Sequence, residues 1–213
     1  MSLLRRVLSM EAEIADGKTY KEIEHTLYAK IVNMVDLEKA FSKEHHEQWQ
    51  IRVAKTPMNS GEGTIRVRKT IPNIIDVANT VYVQTTKTPS PEDGGRDEVP
   101  IPTTLDNFVQ FQRFGESGLI KDRYCFPAIG TDYIWEVDVF YIDGAEIGSG
   151  KYSEWVKIDL EVSVHDKSSP LPLLPFEVTD LIVSQKGYRT PEEDAIIDKL
   201  YDEVFRTKNK FLV

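Results

Sequence analysis

The sequence predicts an α+β fold of antiparallel strands, with a closed or nearly closed β-barrel as its natural architecture. Three observations carry this expectation. Most of the chain between residues 20 and 164 falls into segments where apolar and polar residues alternate, the period of a half-buried strand. Several of these segments are joined by short turns, as antiparallel neighbours require. Helical spacing occurs at only three or four points.

Taken in order, residues 2–16 read as a helix, with Leu3, Val7, Met10 and Ile14 on one face and Gly17 at its end. It is read as an N-terminal helical extension over 1–18, ahead of one domain spanning 19–213. A strand from Tyr20 to Ala29 follows, then a helix over 34–46 with Met34, Leu37 and Phe41 on one side. QWQIRVAKT (49–56) and GTIRVRKT (63–70) are strands that form a hairpin across MNSGEG. NTVYVQTTKT (79–88) is a further strand. RDEVPI (96–101) is a short one that its prolines confine to an edge or an end. Residues 104–114 read as a helix closed by Gly115. The strands 119–126, 132–142 and 154–164 come next, and the prolines of SSPLPLLP forbid regular structure after them. Thr190, Pro191 and Glu193 supply a capping box for a last helix, whose stripe is Ile197, Leu200, Tyr201 and Val204.

The chain has 213 residues, enough to bury a proper core as one domain without disulfides or a structural metal. A formal net charge of -9 argues against nucleic-acid or anionic-membrane binding through the whole surface, and against sequence-specific DNA binding. It leaves room for a local basic site in an acidic shell. The single cysteine, Cys125, excludes an internal disulfide and a cysteine zinc site, and reads as a small buried hydrophobe. No apolar run approaches the roughly 20 residues that cross a bilayer. The opening stretch lacks a small-residue cleavage site, so the expected compartment is the cytoplasm. Oligomeric state is left open.

Residues two apart on a strand share a face, and by that parity the charges are sorted. Arg66 and Arg68 lie together, opposite Ile65 and Val67; Lys121 and Arg123 lie together. Glu136 and Asp138 share a face, as do Lys157, Asp159 and Glu161, and Glu22, Glu24 and Thr26. Arg52 sits between Ile51 and Val53. Alternating charge on a strand is ordinarily a wet sheet face. A wet face mixes both signs, however, whereas here two strands carry basic pairs and three carry acidic ones. A multivalent anion with a divalent cation satisfies both sets, since arginine and lysine hold phosphate oxygens and carboxylates hold a hard cation. The charged faces must then point into the barrel, and Lys69 must point out. The histidines make no metal set: His45 and His46 fall on the expected helix, and His25 and His165 oppose the acidic residues of their strands.

The motifs, in their order, resemble the CYTH superfamily of triphosphate tunnel metalloenzymes over roughly residues 19–206. Glu22-Ile23-Glu24 resembles the opening Glu-x-Glu-x-Lys motif, with Thr26 at the lysine position. Arg66 and Arg68 match an Arg-x-Arg strand, Lys87 a strand ending in lysine, and Arg96 with Glu98 an Arg-x-Glu strand. Lys121 and Arg123 match Lys-x-Arg, Asp138 an aspartate strand, and Asp159 with Glu161 a final Glu-x-Glu strand. PFEVT (175–179) is similar to a segment that follows.

The resemblance implies an eight-stranded antiparallel β-barrel enclosing a tunnel, with helices packed outside. It also implies metal-dependent attack on a triphosphate: inorganic tripolyphosphate, a nucleoside triphosphate or an RNA 5′-triphosphate end. Glu22, Glu24, Asp138 and Glu161, assisted by Asp159 and Glu136, would hold Mg²⁺ or Mn²⁺, with Glu22, Glu24 and Glu161 catalytic. Arg66, Arg68, Lys87, Lys121 and Arg123 would bind phosphate oxygens, with Arg52 and Arg96 in support. The competing expectation is a non-catalytic polyphosphate- or nucleotide-binding module on the same fold.

Overall fold

The computed structural model describes residues 20–53, 63–72, 77–89, 96–143, 145, 149–162, 168–184 and 189–207. The expected helix over 2–16 lies outside them. The strands are β1 (Tyr20–Ile31), β2 (Ser42–Val53), β3 (Gly63–Ile71), β4 (Val81–Pro89), β5 (Arg96–Pro102), β6 (Ser117–Pro127), β7 (Ile134–Tyr141), β8 (Tyr152–Val162), β9 (Val178–Val183) and β10 (Arg206–Thr207). Among the described residues two α-helices accompany them, α1 (Leu105–Phe114) and α2 (Pro191–Val204), with 3-10 turns at Met34–Lys39 and Val77–Asn79.

All described strand pairings are antiparallel. Followed from neighbour to neighbour they run β6, β2, β3, β4, β5, β1, β8, β7, and β7 pairs β6 again. Eight strands therefore form a ring, the α+β barrel that the alternation predicted. The contact between β1 and β5 is its shortest seam, with Tyr20, Lys21 and Glu22 facing Glu98, Asp97 and Arg96. β9 takes the rest of that edge of β1, from Leu27 to Ile31. Pro100 and Pro102 pair with β4 alone, beyond the end of the seam. Proline has no N–H to offer a second neighbour, so β5 carries its prolines where only one is present.

The expected helix over 34–46 is corrected. Only Met34–Lys39 coils, as a 3-10 turn started by the Asn33 side chain, which accepts a hydrogen bond from Val35 N. From Ser42 the chain is strand, because both of its edges are taken, by β3 and by β6. Tertiary pairing overrides the weak helical preference of this stretch.

Parity holds throughout the ring. The outward faces of β1, β7 and β8 bury Leu27, Trp135, Val137, Val156, Ile158 and Leu160 in one cluster, covered by Leu37 of the 3-10 turn and by Leu171, Leu174 and Phe176 of the proline-rich segment. α1 covers Trp49 and Val67 on the outside of β2 and β3 through Phe108. Its N-cap is Thr104, and Gly115 ends it. Trp49 lies over Gly118, where an added Cβ would come within 2.6 Å of the indole. α2 carries the expected capping box and behaves differently. Ile197, Leu200 and Val204 pack on Tyr28, Leu119 and Phe140, which share parity with the charged faces, so this helix sits across one end of the ring.

Candidate functional site

The ring encloses a cavity of about 1410 Å³. Its wall is divided mainly by sign, with Glu44 of β2 and Glu98 of β5 interrupting the basic side and Lys157 of β8 the acidic one. Arg66 and Arg68 of β3, Lys87 of β4, and Lys121 and Arg123 of β6 make one side, with Arg52 of β2 at its exposed rim. Glu136 and Asp138 of β7, Asp159 and Glu161 of β8, and Glu24 of β1 make the other. The parity expectation thus brings together every candidate whose side chain is described. Glu22 and Arg96 face each other in register at the β1–β5 seam, and their side chains lie outside the described residues. Lys69 points away from the cavity, with its Nζ 3.6 Å from Glu47 on the outer face.

Two charge clusters organise the boundary between the walls. In the first, Asp138 is 1% exposed and accepts hydrogen bonds from Arg123 Nε at 2.7 Å, from Arg123 Nη2 at 2.9 Å and from Lys121 Nζ, while Arg123 Nη1 reaches Glu136. Burial alone would raise the Asp138 carboxyl, but Arg123 and Lys121 hold it well below its usual value. Burial opposes the charge of Arg123 too, yet Asp138 and Glu136 keep its pKa well above the ordinary one. Two cations share that one buried aspartate. Lys121, buried and repelled by Arg123, is the one that gives, and its pKa falls to about 7.

The second cluster joins β1 to β8. Lys157 Nζ lies 3.4 Å from Glu24 Oε1 and hydrogen-bonds Asp159 Oδ2, while Thr26 Oγ1 donates to Asp159 Oδ1 at 2.8 Å. The register sets this up, placing Thr26 opposite Asp159 and Tyr28 opposite Lys157. The Lys157 ammonium thus joins the Glu24 and Asp159 carboxyl groups. Burial raises both, but Lys157 outweighs it at Glu24, which falls to about 2. At Asp159 burial wins with help from Glu24 and Asp138, and its pKa rises to about 7. Of the two carboxyl groups, Asp159 is therefore the one that exchanges a proton near neutrality.

Lys87 pairs with Glu98 across the β4–β5 ladder. Lys157 and Glu98 line the cavity although neither was among the expected site residues. Both stood on faces already marked, Lys157 beside Asp159 and Glu98 two residues from Arg96, so parity alone was signal enough. His45 and His46 lie on β2 and not on a helix. His46 shares parity with the tunnel residues and its Nε2 is 2.8 Å from Glu44 Oε2; burial with Arg68 and Lys121 nearby holds it neutral, well below its usual pKa. His45 faces outward and bonds the fully buried Asp122 at 2.8 Å. Cys125 is buried, which pushes its thiol up to about 12, well removed from a reactive thiolate.

Among the described residues no three His, Cys, Asp or Glu side chains converge on one point as metal ligands, and Glu24, Glu136, Asp138 and Asp159 each turn toward an ammonium or guanidinium. The donor chemistry nevertheless fits a hard divalent cation, being carboxylate oxygen alone, with Glu24 and Asp159 gathered on one ammonium.

No helix among the described residues is long and apolar enough to cross a membrane. No family model matches the chain, and no curated protein matches it. Among solved structures, the chain is similar to the PH1819 protein of Pyrococcus horikoshii OT3, at 15% identity and a TM-score of 0.38, over 88% of this chain and 96% of that one. It is also similar to a candidate adenylate cyclase of Bacillus halodurans, at 12% identity and a TM-score of 0.41, over 92% of this chain and 99% of that one.

Proposed function

We propose that the chain binds a triphosphate inside the barrel and hydrolyses it with the help of a divalent cation. The observation that carries the reading is the division of one cavity into a cationic and an anionic wall. A polyanion with a hard counter-cation is the ligand that satisfies both walls together. The order of motifs, similar to that of the triphosphate tunnel metalloenzymes, points the same way.

In this reading Arg66, Arg68, Lys87, Lys121 and Arg123 take the non-bridging phosphate oxygens, with Arg52 and Arg96 at the margin. Glu22, Glu24, Asp138, Asp159 and Glu161 would hold Mg²⁺ or Mn²⁺, with Glu136 beside them. A cation bound there would supply charge neutralisation and Lewis acidity to the transferring phosphoryl group. Water is the nucleophile. Glu24, ionised at neutral pH, orients it from the acidic wall, and Asp159, with a pKa of about 7, takes up or returns a proton near neutrality. The cationic wall fixes the phosphate chain and stabilises the charge that shifts toward the leaving group.

The test measures phosphate release from tripolyphosphate, ATP and triphosphate-ended RNA, each with Mg²⁺, Mn²⁺ or EDTA. Release from at least one substrate, abolished by EDTA, is expected; its absence from all three would sink the hydrolase reading. A second reading, a binding module without turnover, is favoured by Thr26, whose hydroxyl is committed to Asp159 where the similar family carries a lysine. Tight binding of tripolyphosphate with no release would establish it.

A further inference from the structure

Among the described residues, one cationic side chain lines the cavity from the acidic wall, and it belongs to Lys157. Its ammonium reaches Glu24 at 3.4 Å and hydrogen-bonds Asp159. Thr26 fixes the other Asp159 oxygen at 2.8 Å, so one ammonium joins the two carboxyl groups. The ammonium therefore sits on the oxygens that would draw an incoming cation most strongly. The two cannot share them, because like charges at such a separation repel by far more than thermal energy in a buried setting.

We propose that Lys157 is a built-in competitor for the divalent cation. Its ammonium holds the Glu24–Asp159 pair together while no metal is bound, which offsets the repulsion between the two groups when both are ionised. When a divalent cation arrives, the flexible stem of Lys157 carries the ammonium off these oxygens and toward the polyphosphate on the opposite wall. The inference rests on the cation-dependent reading above and adds coupling to it. A polyphosphate gives the displaced ammonium a new partner, so anion and cation each strengthen the binding of the other, by the same factor in both directions. Metal without substrate binds weakly.

Mn²⁺ binding to the full chain, followed by electron paramagnetic resonance with and without tripolyphosphate, tests this in the wild type and in Lys157→Met and Lys157→Arg. Without tripolyphosphate, Lys157→Met should bind Mn²⁺ at least about tenfold more tightly than wild type, since a unit charge leaves the site. Lys157→Arg should stay close to wild type. Tripolyphosphate should tighten Mn²⁺ binding in wild type by a larger factor than in Lys157→Met. Equal or weaker Mn²⁺ binding by Lys157→Met overturns the inference and leaves the cation-dependent reading standing. Mn²⁺ binding by none of the proteins, with or without tripolyphosphate, overturns both. Lys157→Gln, polar and neutral, makes the same comparison if thermal melts show that Lys157→Met does not fold.

Discussion

The β3 region and the junction of β6, β7 and β8 both present cations to the same cavity, but with different neighbours. Across the ladders, Arg66 faces Gln50 and Thr85, and Arg68 faces Gln48 and Val83. At the other place Asp138 faces Arg123 on one side and Lys157 on the other, and Glu136 faces Asp159. In register, the β3 arginines stand across from neutral residues, while the other region sets opposite charges directly across its ladders. The difference teaches where the barrel ties its charges to one another across the ladder itself. Breaking the interleaved set strands a buried charge; removing a β3 arginine takes away a hold on an anion.

The largest expected effect tests the interleaved side. Arg123→Ala leaves Asp138 buried without its bidentate partner and should cost roughly 3–5 kcal/mol of stability, read from denaturant or thermal unfolding. A loss no larger than that of a surface substitution would erase the contrast between the two regions. Next comes the other side. Arg66→Ala should weaken tripolyphosphate binding by about 1.5–3 kcal/mol, the worth of hydrogen bonds to a charged group, and lower stability less than Arg123→Ala does. Calorimetric titration and a melt on the same sample decide it.

A smaller effect arises from Lys121, which belongs to the interleaved set and is its weakest member. With a pKa of about 7 it is an ammonium below neutrality and neutral above. Tripolyphosphate binding without metal should therefore weaken from pH 6 to pH 8, by up to about tenfold for one lost ammonium contact. Lys121→Met should flatten that part of the profile. The stability of the free protein should move the other way. Between pH 7 and 10.5 the unfolded chain holds a proton that the folded chain has released, so stability contributed by Lys121 rises with pH across that window. The smallest effect is the control. Lys69→Ala, on the outer face beside Glu47, should change stability and binding by less than about 1 kcal/mol, as a half-exposed ion pair does.

Period-two alternation made the barrel wall readable in the chain, because a strand that is apolar on one face and charged on the other keeps that pattern wherever its partners are. Arg66, Arg68, Lys121, Arg123, Asp138, Asp159 and Glu161 could be placed on one surface for that reason. Residues 42–46 could not. Glu44 and His46 bond each other inside while His45 bonds Asp122 outside, so both faces are polar and the alternation vanishes. Which carboxylate meets which cation depended on register between β1 and β8, and no local pattern carries that. Lys157 shows the limit clearly: its face was legible, whereas its position between Glu24 and Asp159 follows from the pairing of distant strands. The place of α2 across the barrel end was similarly hidden. Its apolar stripe announced burial and left open what it would be buried against.

That β1–β8 pairing also sets an order in time. Thr26 and Asp159 are 133 positions apart, whereas β2 through β5 pair as successive hairpins. As the chain leaves the ribosome, the basic side can zip together while β1, made early, has its long partner still unsynthesised. Long-range closure of this kind is slow, and an edge left waiting is open to wrong partners. A nascent chain halted before residue 152 would carry every cation of the basic wall while Asp159, Glu161 and the Lys157 that bridges to Glu24 were still to come.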